Sequence, residues 1–170
     1  KDKQYLIREP SLCDPTYRTN LAKKVSSDVA LAMSWGGATA YVAGDEMSLT
    51  EYVEYFDYDF SEYSLAEFRN WCQEKYGTLA QLNAIWETNY TSWQDIMPLT
   101  MEEAGGASNP APWADFRTFM DDSVVDFFKF VSNTIKSVDP KGRLGVSGTQ
   151  KPAAGNGYDY WKWAKNGIFE

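Results

Sequence analysis

Histidine is absent from all 170 residues, and cysteine occurs only twice. Without histidine there is no Ser-His-Asp triad and no Cys-His dyad, and most catalytic zinc sites are ruled out. Chemistry must therefore run on carboxylates, tyrosines, lysines or arginines. Cys13 and Cys72 lie far apart with no C-x-x-C pair, so no redox or zinc-ribbon motif is present. No run of eighteen apolar residues occurs, so no membrane-spanning helix is expected. Basic residues are scarce: 16 Lys and Arg stand against 24 Asp and Glu, a formal net charge of −8. Nucleic acid and anionic membranes are accordingly poor partners for this chain. There is no N-terminal signal pattern and no initiating Met. The opening Lys1-Asp2-Lys3 reads as the edge of a segment cut from something longer. No internal repeat and no low-complexity tract is visible.

What is present is apolar and aromatic. Hydrophobic residues make up 44% and aromatic residues 16%, with seven Trp and eleven Tyr. That load suits one domain, or part of a larger one, with a real core, and it argues against disorder. Aromatic rings also suit sugar stacking, although Trp35, Trp71, Trp86 and Trp93 are expected in the core.

Along the chain, residues 4–9 (QYLIRE) read as a short strand stopped by Pro10. Asp14 is a good N-cap and Pro15 fits the first helical position, where its missing N–H does no harm. Leu21, Val25, Val29 and Met33 then mark one face of a helix ending near Ser34, before Gly36 and Gly37. Residues 39–43 (TAYVA) have the β-branched and aromatic content of a central parallel strand, closed by Gly44-Asp45-Glu46. From Ser48 to about Ile96 the pattern is helical. Ser64 and Thr78 each open a capping box, Gly77 separates two helices, and Phe68, Trp71, Leu79, Leu82, Ile85 and Trp86 face inward. Residues 98–112 read as a long loop. The longest helix follows, roughly 113–138, with Phe116, Val124, Phe127, Phe128, Val131 and Ile135 on its buried side. A strand at 143–150, a loop, a helix in YDYWKWAK and the start of another strand at 168–170 complete the order. Strands alternating with helices predict an α/β fold with parallel strands. A doubly wound sheet and a (β/α)8 barrel both satisfy that pattern.

Two acids at the tip of a buried strand raise a chemical question. In a barrel, active residues sit at the C-terminal ends of strands. Glycoside hydrolysis needs one protonated carboxyl to serve the leaving oxygen and a second as nucleophile or base. Glu46, beside Asp45 and near many aromatics, is suited to be the proton donor; the bland alternative is a polar turn before a helix capped by Ser48. Side chains alternate along a strand, so Asp45 and Glu46 are not themselves the two catalytic acids. Asp57, Asp59 and Glu62 read as a solvated acidic turn rather than a calcium loop, since EF-hand spacing is absent. Asp121 and Asp122 read as the wet face of a helix. Arg8 can grip a sugar hydroxyl or simply pair with an acid, and Ser147 and Gln150 can line the same mouth. Asn89-Tyr90-Thr91 is a glycosylation sequon by pattern alone. No metal ligand set and no cofactor is expected.

These segments resemble glycoside hydrolase family 42, the β-galactosidases built on a (β/α)8 barrel. Residues Arg8 to Arg18 (REPSLCDPTYR) are similar to the family's arginine followed by a C-P-N-x-P-x-Y-R segment. The strand ending in Gly44-Asp45-Glu46 resembles the family's strand ending in Asn-Glu. FRNWCQEKYGTLAQLNAIW, Phe68 to Trp86, resembles the family's helical insert nearly word for word. The W-x-D-F-x-x-F helix from Trp113, the Asp139-Pro140 turn and the DYWKWA segment from Asp159 also have counterparts. The resemblance implies part of a TIM barrel, from about strand 3 to the start of strand 6, forming one partial domain over 1–170 with a helical insert at about 48–112. It implies a retaining hydrolase of terminal β-D-galactosides or related β-glycosides, as part of a longer enzyme acting on a carbohydrate substrate. Glu46 would be the general acid/base, Asp45 would stand where an asparagine holds a sugar hydroxyl, and Arg8 would bind substrate. Family members also suggest a homo-oligomer in the full-length protein. Two departures stand out. Asp replaces Asn before Glu46, which alters sugar preference, and the family's nucleophile on the seventh strand would lie beyond Glu170. Two other classes remain: a sugar-binding or scaffold protein on the same barrel without hydrolysis, and an unrelated α/β enzyme with a metal at the acidic turn.

Overall fold

The computed structural model describes residues 2–45, 47, 49, 56–147 and 158–168. Glu46, Ser48, Gln150, the loop 151–157 and residues 169–170 lie outside the described residues.

Among the described residues, six α-helices and two strands follow in the order α1 (Pro15–Ser34), β1 (Tyr41–Asp45), α2 (Glu62–Tyr76), α3 (Leu79–Trp86), α4 (Met101–Gly106), α5 (Ala111–Val138), β2 (Leu144–Ser147) and α6 (Tyr160–Lys165). Strands β1 and β2 pair in parallel, so the chain between them must return to the starting end of the sheet. Helix α5 makes that return; its 28 residues span roughly 42 Å. It packs against α1 on one side and carries α2, α3 and α4 near its own first half.

The helix starts are chemically determined. Asp14 accepts from the Thr16 N–H and Pro15 occupies the first turn of α1, as its sequence predicts. Helix α2 begins one turn earlier than expected. Ser61 is its N-cap and accepts from Ser64 N–H, so Ser64 is buried inside the first turn. Gly77 ends α2 with φ +69°, a left-handed value that a side chain resists. Within the expected loop 98–112, residues Met101–Gly106 form α4. Its capping box is reciprocal: Thr100 accepts from Glu103 N–H at 3.2 Å, and the Glu103 carboxylate accepts from Thr100 N–H at 2.7 Å.

Residues 4–9 are not a strand. Lys3–Tyr5 form a 3₁₀ turn, and the segment after it is tied to the run before α2. Phe60 N–H donates to Leu6 carbonyl at 2.8 Å, and Arg8 N–H donates to the Asp59 carboxylate at 3.1 Å. A side-chain acceptor thus takes the place of a second strand. Asp59 is buried and also receives Ser61 N–H and Ser61 Oγ, at 2.7 and 2.9 Å. The expected solvated acidic turn is therefore a structural anchor; Asp57 likewise accepts from Met101 N–H at 2.8 Å.

The core lies on α5. Phe116, Val124, Phe127, Phe128, Val131 and Ile135 are all buried, the face its periodicity predicts. Phe68, Leu82 and Trp86 meet it from α2 and α3, with Phe68 edge-on to Phe116 at 5.0 Å between centroids. Three expectations fail here. Ile85 is exposed, because an eight-residue helix turns only Leu82 and Trp86 fully inward. Trp35, at the C-cap of α1 beyond its packed turns, is 78% exposed, and Met33 in the last turn is exposed as well.

Candidate active site

The C-terminal ends of β1 and β2 lie side by side. Tyr41 pairs with Leu144 and Val42 with Gly145, but Asp45 pairs with Ser147. Three residues of β1 thus span what two residues of β2 span, an irregularity of the bulge kind, which is uncommon between parallel strands. Its effect is on side-chain direction. Leu144 and Val146 pack toward the helical core, so alternation turns Gly145 and Ser147 to the opposite face. Tyr41 also points to the helices, where its hydroxyl donates to Asp139 at 3.0 Å. Strict alternation would send Asp45 the same way as Tyr41. The extra residue reverses that parity, and Asp45 accepts from Ser147 Oγ at 2.9 Å on the face away from the helices.

Gly44 sits inside the irregular step. A Cβ there would lie 2.6 Å from Met47 Sδ, so the Met47 side chain lies directly over this position and would have to shift for any larger residue. Met47 and Leu49 share a small cavity of about 30 Å³ with Arg8, Leu12, Tyr158 and Trp163. Arg8, far away in sequence, therefore lies near Met47 and Leu49, which follow β1 in the chain. Its guanidinium Nη1 also donates to Pro10 carbonyl.

Asp45 and Ser147 meet directly, then, while Arg8 reaches the neighbourhood of the same tip. Glu46 and Gln150 fall outside the described residues. Among the described residues no cluster of three or more His, Cys, Asp or Glu could hold a metal ion, and the acidic turn carrying Asp59 is occupied by hydrogen bonds from the protein. Also among the described residues, no helix is long and apolar enough to cross a membrane.

Among the described residues a cavity of about 490 Å³ lies elsewhere. It is lined by the start of α1, by α2 and by α5, and contains no strand residue. Several of its charged groups are engaged: Arg18 pairs with Asp126 at 2.7 Å, and Asp122 takes Lys162 at 2.7 Å and the Trp71 indole N–H at 3.0 Å. Asp122 is thus half-buried and bonded, not simply the wet side of α5. Cys13 lines this cavity, and burial raises its thiol to about 11. It is a poor nucleophile at neutral pH.

The segment Phe68 to Trp86 proves structural. Asp115, on α5 and buried, accepts from Lys75 Nζ at 2.6 Å, Trp86 Nε1 at 2.9 Å and the Tyr76 hydroxyl. Asn83 clamps the turn after α3: its amide donates to Tyr90 carbonyl at 2.8 Å and accepts from Tyr90 N–H at 2.9 Å. The sequence reading overlooked Asp115. The signal was an aspartate bracketed by Trp113 and Phe116 on a face otherwise apolar, which calls for a buried partner.

The fold is that of TIM-barrel glycoside hydrolases. The β-galactosidase from the psychrophilic Marinomonas ef1 superposes with a TM-score of 0.73 at 23% identity, over 92% of this chain and 23% of that one. The catalytic domain of a β-amylase from Paenibacillus polymyxa superposes with a TM-score of 0.67 at 19% identity, over 92% of this chain and 46% of that one. Within that class the family is specific: the β-galactosidase profile of glycoside hydrolase family 42 matches residues 10–168, and the chain belongs to this family of enzymes. Curated relatives include β-galactosidase BgaA of Planococcus sp., 30% identical over 66% of this chain, and β-galactosidase bgaB of Geobacillus kaustophilus, 29% identical over 68%. The chain spans 18% and 17% of the length of those two relatives.

Proposed function

We propose that these residues are the central part of a retaining β-galactosidase, with β1 and β2 as the fourth and fifth strands of its barrel. On this reading the segment from just before the fourth strand to about the start of strand 6 is covered, and α2 to α4 form an insert after the fourth strand. The observation that carries it is the family match over residues 10–168. The parallel pairing of β1 and β2 and the polar residues at their tips support it, because barrel enzymes place their chemistry there.

Glu46, immediately after Asp45, protonates the glycosidic oxygen as the bond to the leaving group breaks, then takes a proton from the attacking water. A neighbouring carboxylate disfavours a second negative charge, so Asp45 helps keep Glu46 protonated for the first step. The nucleophile is a second carboxylate further along the full-length protein, about 5 Å from the first, as retention requires. Asp45 and Arg8 hold the sugar.

The test is hydrolysis of aryl β-galactosides by the full-length protein and by its Glu46→Gln variant. Retained anomeric configuration, with turnover lost in the variant, is the expected result. Turnover unchanged by Glu46→Gln would sink the assignment.

A further inference from the structure

Ser147 has a hydroxyl aimed at one oxygen of an exposed carboxylate, just past the step where the two strands change register. Asp45 Oδ1 accepts that hydroxyl at 2.9 Å, and among the described residues no other group bonds this carboxylate. An ionised aspartate accepts and never donates. With Oδ1 engaged by Ser147, Oδ2 is the open acceptor at the mouth of the strands. Three features serve this arrangement: the extra residue in β1, the glycine at position 44 under Met47, and the two residues in register at the tips. None is needed to pack the helices, whose side of the sheet is already filled by Leu144, Val146 and Tyr41.

We propose that Ser147 is a positioning residue that fixes the Asp45 carboxylate as a dedicated hydrogen-bond acceptor, so that the site selects sugars presenting a free hydroxyl, a donor, at the carbon facing Asp45. The proposal rests on the hydrolase reading above. An amide at position 45 could donate or accept and would tolerate a substituent that only accepts. The carboxylate held by Ser147 does not. A sugar whose facing hydroxyl is replaced by fluorine or hydrogen loses the only donor that Oδ2 can use, and fluorine also repels the negative charge. Removing the serine hydroxyl frees the carboxylate to rotate and to bond water instead.

The experiment uses the full-length protein with aryl β-galactosides in which each ring hydroxyl is singly replaced by hydrogen or by fluorine. Wild type, Ser147→Ala, Ser147→Thr and Asp45→Asn are compared by kcat/KM, alongside the affinity of each for methyl β-galactoside by calorimetry. Wild type should disfavour one deoxy and one fluoro analogue, at the same carbon, by well over tenfold. Ser147→Ala should lower kcat/KM for the parent sugar by roughly tenfold and shrink that one discrimination, while Ser147→Thr, which keeps a hydroxyl, restores both. Asp45→Asn should tolerate the fluoro analogue, and adding Ser147→Ala to it should cost little more. Discrimination at every carbon unchanged in Ser147→Ala would overturn the proposal, as would an equal loss for all analogues with no rescue by threonine. A protein that binds methyl β-galactoside but does not hydrolyse it, and loses affinity on Ser147→Ala alone, would retain the positioning role and reject the hydrolase reading. No sugar binding by any variant would reject both.

Discussion

Asp115 and Asp45 are the same residue type in opposite situations. Asp115 is buried on α5 and receives three donors, from Lys75, Tyr76 and Trp86. Asp45 is exposed at a strand tip and receives one, from Ser147. The first has no acceptor capacity directed outward; the second presents most of its capacity to solvent. The residues around Asp115 belong to the longest stretch of family-like sequence in the chain, and none of that stretch reaches the strand tips. A conspicuous motif here reports a packing problem, that of seating an aromatic helical pair on α5. The region suited to chemistry is a few small and polar residues, Gly44, Asp45 and Ser147.

That contrast can be broken most forcefully at Glu46. Glu46→Gln in the full-length protein should lower kcat by about 10²–10⁴-fold, the usual contribution of a general acid, with a melting temperature close to wild type. In the helical layer the signs reverse. Phe68→Ala, at a site with no exposed surface, should destabilise by about 3–5 kcal/mol, seen as a lower denaturant midpoint, while the folded fraction keeps its specific activity. Asp115→Ala should follow at roughly 2–3 kcal/mol, because Trp86 N–H and the Tyr76 hydroxyl lose a charged acceptor. A specific loss of turnover in Asp115→Ala, with stability intact, would mean that the two regions are not separable.

The remaining effect is one of pH. Burial first, and Asp115 second, raise the Cys72 thiol from 9.0 to about 12. Burial also raises Cys13 to about 11, and burial with the hydrogen bond to Asp115 raises the Tyr76 hydroxyl. The folded protein therefore holds thiol protons that the unfolded chain releases above about pH 9. Their contribution to stability is full below pH 9 and is lost as pH rises toward 11–12. Melting temperature should fall through that window, and less steeply in Cys72→Ala; identical slopes would contradict this account.

Much of the helical layer was legible from local chemistry. Asp14 with Pro15 announced α1, and the spacing of Phe116, Val124, Phe127, Phe128, Val131 and Ile135 announced the buried face of α5. Helix α4 carried its own signal in Thr100 and Glu103, but two glycines and nearby prolines masked it. The supposed strand at 4–9 had strand-like residues but pairs with no strand among the described residues; a buried carboxylate, Asp59, takes the Arg8 N–H instead. At the site, the residue types at the strand tip could be read, but not their direction. Alternation predicts which face each side chain takes only while the register is even, and the extra residue in β1 depends on long-range pairing with β2.

The uneven register carries a consequence for how such a site can diverge. Three steps of β1, from Val42 to Asp45, match two steps of β2, from Gly145 to Ser147. Deleting Ala43 would therefore make the register even and leave Asp45 opposite Ser147 on the same face. A relative with one residue fewer between Tyr41 and Asp45 would present the same carboxylate from a regular strand, so this insertion can come and go without changing what the tip offers.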